Sequence, residues 1–206
     1  MVFGAAGPAF GIINKMDEQA LFKKPSIADF RANYKGFLVS DDGATVQFGY
    51  EVRGKSPARF SIHKRLLEML DEQKGTGEPE ILSPPDTSSE DLKITDWKAN
   101  EFPKLNGIRL ELKPYEASRS LAISPDRGSF LLGTEWFLRL FDRQGKEIWN
   151  IPAPAVAWGV NIARNGKVAV AAFGDGTIRW YSMKDHKELL ALFLHNDRKR
   201  WILWTP

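Results

Sequence analysis

The sequence has no cysteine, and only three of its 206 residues are histidine. Without cysteine there is no disulfide, no thiolate metal ligand and no cysteine nucleophile. The histidines, His63, His186 and His195, stand at none of the spacings that a metal site uses, and His186 reads as solvated in a polar turn. Asp41-Asp42 is not followed by the ladder of oxygen ligands of a calcium loop, so it reads as the acid of a hairpin turn. No Gly-x-Ser-x-Gly elbow is present for a hydrolase serine, and Gly54-Lys55-Ser56-Pro57 reads as a turn. The glycine-rich stretch Gly4 to Gly11 lacks the lysine and hydroxyl of a phosphate loop and reads as a strand-to-strand turn. No cofactor, no metal and no catalytic residue is therefore expected. No apolar run reaches the roughly 20 residues of a membrane helix. The N-terminus lacks the basic start of a signal peptide. A cytoplasmic protein without a membrane partner is expected.

Charge of one sign is also scarce: the net charge is +3. Residues 71–91 hold seven acids and one lysine, so the rest of the chain is mildly basic. Its Lys and Arg are scattered rather than gathered on a stripe, which argues against a nucleic-acid partner. Hydrophobic residues make up 43% and charged residues 27%, the composition of a folded chain with a real core.

What the sequence does have is a repeat. Ser120 to Trp149 aligns with Gly159 to Leu190 at a period of about 40 residues. Ile123 falls on Ile162, Gly128 on Gly166, Arg139 on Arg179 and Glu147 on Glu188. Each unit reads as four strands joined by turns. Phe37 to Phe48 repeats the opening of the unit more faintly, and Phe10 to Phe22 resembles its last two strands. Phe137 to Phe141 and Thr177 to Tyr181 are rich in aromatic and β-branched types, as strands are. Val168 to Phe173 is an unbroken apolar run, the pattern of a strand covered on both faces. Asp42-Gly43, Asn106-Gly107, Asn165-Gly166 and Asp175-Gly176 are hairpin dipeptides. Ile62 to Lys74 fits either a helix, by the spacing of Ile62, Leu66, Met69 and Leu70, or the third and fourth strands of a unit; the repeat favours strands.

Leu121 to Gly128, Phe130 to Gly133 and Leu138 to Asp142 together resemble a blade of the WD-repeat β-propeller family, with Phe141-Asp142 in the place of the name-giving pair. Phe173 to Tyr181 is similar to the same segment, and Asp175 matches the family's structural aspartate. His195 resembles the family's Gly-His histidine, with Leu194 in place of the glycine. The family's His–Ser/Thr–Asp–Trp hydrogen-bond set is complete in neither unit, which implies blades held by apolar packing. Trp136 to Pro154 and Arg200 to Pro206 look like bacterial WD-repeat proteins in which a propeller is joined to a caspase-like peptidase; the cysteine of such a peptidase is not in this chain. Asp142 to Trp149 also resembles the docking motif of pyrroloquinoline-quinone propellers, where the tryptophan packs between blades.

The resemblance implies an all-β fold of four-stranded propeller blades, about four to five in number, partial or closed by pairing of the two chain ends. The expected division of a single domain, 1–206, is as follows: last strands of a blade in 1–35, a blade in 36–70, an acidic insertion loop in 71–91, part of a blade in 92–118, blades in 119–154 and 155–195, and the first strand of a further blade in 200–206. The leading expectation for function is a non-catalytic scaffold that binds another protein or domain. Its candidate contacts are Glu135, Trp136 and Trp158, which a WD-type blade would place on one rim. Two alternatives stand beside it: a structural part of a longer or homo-oligomeric propeller, and a propeller with a small molecule or quinone in its channel.

Overall fold

The computed structural model describes residues 2–5, 9–16, 18–23, 26–70 and 81–206. Among them lie five antiparallel sheets and a single turn of 3-10 helix. Strands β1 (Val2–Ala5), β2 (Ala9–Ile13) and β3 (Gln19–Lys23) form the first. The second is the meander β4 (Leu38–Ser40), β5 (Thr45–Glu51), β6 (Lys55–Ser61) and β7 (Leu66–Met69), to whose β4 edge β8 (Leu82–Ser83) is added. The third is short: β9 (Ile94–Thr95), β10 (Lys104–Leu105) and β11 (Ile108–Arg109). The fourth is the meander β12 (Ser118–Ile123), β13 (Ser129–Thr134), β14 (Phe137–Asp142) and β15 (Glu147–Pro152). The fifth runs β16 (Ala157–Ile162), β17 (Val168–Phe173), β18 (Thr177–Ser182), β19 (Glu188–Leu194) and β20 (Trp201–Trp204). The chain is all-β and built of propeller-type blades.

The repeat extends to the irregularities. The register shifts between Ser118 and Ser120 and again between Ala157 and Gly159. It shifts between Leu140 and Phe141 and again between Trp180 and Tyr181. Bulges at matching positions give both blades the same added twist. The hairpin dipeptides turn where expected: Leu105 pairs Ile108 across Asn106-Gly107, both at positive φ. Residues 55–61 and 66–69 are strands, so the repeat position and not the helical spacing decides Ile62 to Leu70.

Three apolar clusters join the sheets in the spatial order third, fourth, fifth, second. Ile94 and Leu105 of the third, with Leu92 just before it, meet Phe130, Leu132 and Phe141 of the fourth. Leu131, Leu138 and Leu140 of the fourth meet Ala169, Ala171 and Phe173 of the fifth. Val170, Ala172, Ile178 and Trp180, on the other face of the fifth, meet Val46, Phe48 and Phe60 of the second. Backbones approach closely at these joints. A Cβ on Gly133 would stand 2.3 Å from the Ser120 Oγ and 2.9 Å from the Ala157 Cβ. The Trp180 Nε1–H donates to the Gly43 carbonyl at 2.7 Å, tying the fifth sheet to a turn of the second.

Two segments differ from expectation. Residues 71–91 were expected to be a loop; 71–80 lie outside the described residues, but Leu82–Ser83 is a strand paired with Val39 and Ser40. The Asn161 Nδ2 donates to the carbonyls of Ser83 (2.9 Å) and Phe37 (3.0 Å), and the Asp86 carbonyl accepts from the Ile123 N–H at 2.7 Å. This strap thus touches β4, β16 and β12, the first strands of three blades. Trp201–Trp204 was expected to open a further blade. Instead it is the fifth strand of its own sheet, pairing β19 from Ala191↔Trp204 to Leu194↔Trp201. Apolar contact accounts for this: Trp201 and Leu203 pack on the cluster shared with the second sheet, and the Trp201 ring lies 5.0 Å from that of Phe60, edge-on. Among the described residues the N-terminal strands pair with one another. An isolated bridge joins Ile27, after those strands, to His195 at the end of β19.

Phe173 is fully buried between two sheets. Phe173→Ala is expected to lower unfolding free energy by about 3–5 kcal/mol, read as an earlier midpoint in urea unfolding.

Candidate interaction surface

The turn between β13 and β14 carries Glu135 and Trp136. It is built from the inside outward. Thr134, fully buried, accepts the N–H groups of Phe137 at 2.9 Å and Trp136 at 3.3 Å on its hydroxyl. That hydroxyl donates to a carboxylate oxygen of Glu116, which is itself buried. Arg139 on β14 grips the same carboxylate with both arms, Nε to Oε1 at 2.9 Å and Nη2 to Oε2 at 2.7 Å, and reaches Glu147 on β15 with its third nitrogen. Burial by itself raises the Glu116 carboxyl. The hydrogen bonds from Arg139, Thr134 and the Lys113 N–H together outweigh it and hold the group below its ordinary 4.5. A two-armed pair of this kind fixes direction as well as charge.

Next to this turn, Arg119 on β12 forms an ion pair with Glu135. Its guanidinium lies 5.3 Å above the ring of Trp158, at cation–π distance. Trp158 on β16 is half-buried and packs against the cluster joining the fifth and second sheets. Gly174 leaves room for its indole: a Cβ there would lie 3.1 Å from the Trp158 Nε1. Trp136 is 43% exposed, while its carbonyl accepts from the Ala153 N–H at 2.8 Å. Glu135 and Trp158 are therefore brought together through Arg119, and Trp136 stands beside them on a rigid turn. Sequence reasoning missed Arg119, Glu116 and Thr134. The pairing of Arg139 with Glu147 recurs as Arg179 with Glu188 (2.9 Å), at the positions the repeat aligned. Glu116 lies in an irregular stretch where no periodicity marks it.

No protein-family model and no curated protein matches this chain. Among solved structures, it is similar to the β-propeller domain of Cps50 (Swd1) from Myceliophteria thermophila. The identity is 12% and the TM-score 0.40, over 88% of this chain. The chain spans 61% of the length of that one.

The remaining sequence candidates are placed as follows. Asp175 accepts from the Thr177 N–H (3.0 Å) and hydroxyl (2.6 Å), so it orders its own turn. His195 accepts the Asp197 N–H on Nδ1 at 3.1 Å and closes a local loop with Arg200. Trp149 packs in the cluster between the fourth and fifth sheets, the place the docking-motif resemblance implied. Among the described residues no group of three His, Asp or Glu could hold a metal ion, and no helix is long and apolar enough to cross a membrane.

Glu116→Gln leaves the buried Arg139 without its two-armed partner, with an expected loss of about 3–5 kcal/mol. Because the folded carboxyl titrates below 4.5, its contribution is whole above that pH and is lost as pH falls through the lower folded value. Urea unfolding of the parent should weaken on acidification below pH 4.5, and in Glu116→Gln that loss should shrink.

Proposed function

We propose that the protein is a non-catalytic scaffold that presents the rim formed by Glu135, Trp136, Arg119 and Trp158 to another protein. The observation that carries this reading is the exposed Trp136 on a turn braced from within by Thr134, Glu116 and Arg139. A large aromatic surface held in one orientation loses little entropy on binding, and tryptophan and arginine are the usual anchors of an interface. The resemblance of 136–154 and 200–206 to propellers joined to caspase-like peptidases makes such a peptidase the first partner to try. The strap at 82–86 weighs against a ligand in the channel, because chain already crosses the first strands of three blades there.

Trp136→Ala with Glu135→Lys is the variant to use. Trp158→Ala is unsuited, since Trp158 also packs on the core. The double variant should keep the parent's melting temperature and lose more than tenfold in affinity for a partner captured by the parent, measured by calorimetry. Equal affinity would refute the rim.

A second reading, self-association, is favoured by β20. It is the outer edge of its sheet and exposes Ile202 at 61% and Trp204 at 37%. Open apolar edges pair with further strands. Light scattering after size exclusion separates the readings. A mass of 23.3 kDa supports the lone scaffold, and a multiple that reverts in Ile202→Lys supports the assembly.

A further inference from the structure

Most arginines of this chain that come near an acid are paired with it: Arg31 with Asp29, Arg119 with Glu135, Arg139 with Glu116, Arg179 with Glu188 and Arg198 with Glu51. One place breaks the pattern. A cavity of about 360 Å³ lies where the turn 32–36 before β4, the turn Arg53-Gly54 between β5 and β6, and the turn 96–99 of the third sheet come together. Lys35, Arg53 and Lys98 line it, one from each turn, and no acid does. Among the described residues none of the three has an ion-pair partner; Lys98 rests 5.1 Å from the ring of Trp97 and 5.5 Å from that of Tyr34. Arg53 also borders a neighbouring hollow with Asp29, Glu51 and Lys55, but those two acids are taken by Arg31 and Arg198.

The cavity is built rather than incidental. Asn33, only 5% exposed, forms part of its wall, and its Nδ2 has no hydrogen-bond partner. Two glycines make room for the Asn33 side chain in that wall. A Cβ on Gly36 or Gly54 would fall 2.2 Å or 2.6 Å from the Asn33 Oδ1. Gly54, Arg53 and Ala32 all have positive φ, so three left-handed residues converge on one wall. Such conformations are costly outside glycine and cluster at ligand clamps.

The geometry points to an anion site that takes the phosphate group of a small soluble molecule. Three cations from three separate turns suit a doubly charged oxyanion with several acceptor oxygens. A single carboxylate would leave cations unmatched. The site involves none of the rim residues, so it stands apart from the scaffold reading.

The test uses the full chain labelled with nitrogen-15 and titrated with inorganic phosphate, against sodium chloride at equal ionic strength. Phosphate should shift the Asn33 side-chain amide and the Gly36 and Gly54 amides along one saturable curve. Arg53→Gln should weaken that binding at least tenfold and Lys35→Ala severalfold, with melting temperature unchanged. Lys187→Ala, at the exposed turn between β18 and β19 of the fifth sheet, should change nothing. Shifts that rise linearly without saturation, that chloride reproduces, or that survive Arg53→Gln in a folded variant would overturn the site.

Discussion

Strand β17 has no polar side. Ala169, Ala171 and Phe173 face the fourth sheet, and Val170 and Ala172 face the second, all at most 1% exposed. A strand alternates its side chains between two faces, so a strand covered twice must be apolar throughout. Three small alanines let the neighbours come close, and one Phe and two Val fill what remains. Strand β13 repeats the arrangement, with Leu131 toward the fifth sheet and Phe130 and Leu132 toward the third. The joints of the third, fourth, fifth and second sheets are built on these two strands.

Apolar faces alone permit sliding, and side-chain donors remove that freedom. The Ser118 hydroxyl donates to the Asn100 carbonyl, Ser120 to Ala157, and Trp180 to Gly43, each to a neighbouring sheet and within 2.7–2.8 Å. Asn161 does the same for the strap. Each buried donor is satisfied by a carbonyl of a neighbouring segment, so the hydrogen bonds act as register marks at small net cost. The carboxylate of Glu116 plays a related part within one blade, holding Thr134 and Arg139 together so that the turn beyond them has one shape.

The blades of residues 119–195 were legible because their signals are local. Alternation, hairpin dipeptides and the matched Arg139 and Arg179 lie within one repeat and need no partner to be seen. The same holds for 55–69, where repeat position overrode a helical spacing of Leu66, Met69 and Leu70 that the sheet uses as an outer strand. What escaped was set by distant contact. Nothing local marks Leu82–Ser83 as a strand, since its pairing comes from Val39 and Ser40 and its anchor from Asn161. Trp201–Trp204 reads as a strand in any frame, and it joins β19 with its Trp201 and Leu203 packed on a cluster that includes Phe60, far back in the chain. At the rim the aromatic and acidic residues were visible, whereas Arg119 between them emerges only when β12 and β16 stand side by side.

The second sheet packs against the fifth, and its Gly43 waits for a tryptophan 137 positions later. On a ribosome adding about 5–20 residues per second, that interval is on the order of ten seconds. Throughout it, Val46, Phe48 and Phe60 have a strand scaffold but no cover. Closing such a long loop is slow as well as late. The molecule therefore passes through a stage in which that apolar face of its second sheet stands open to other chains.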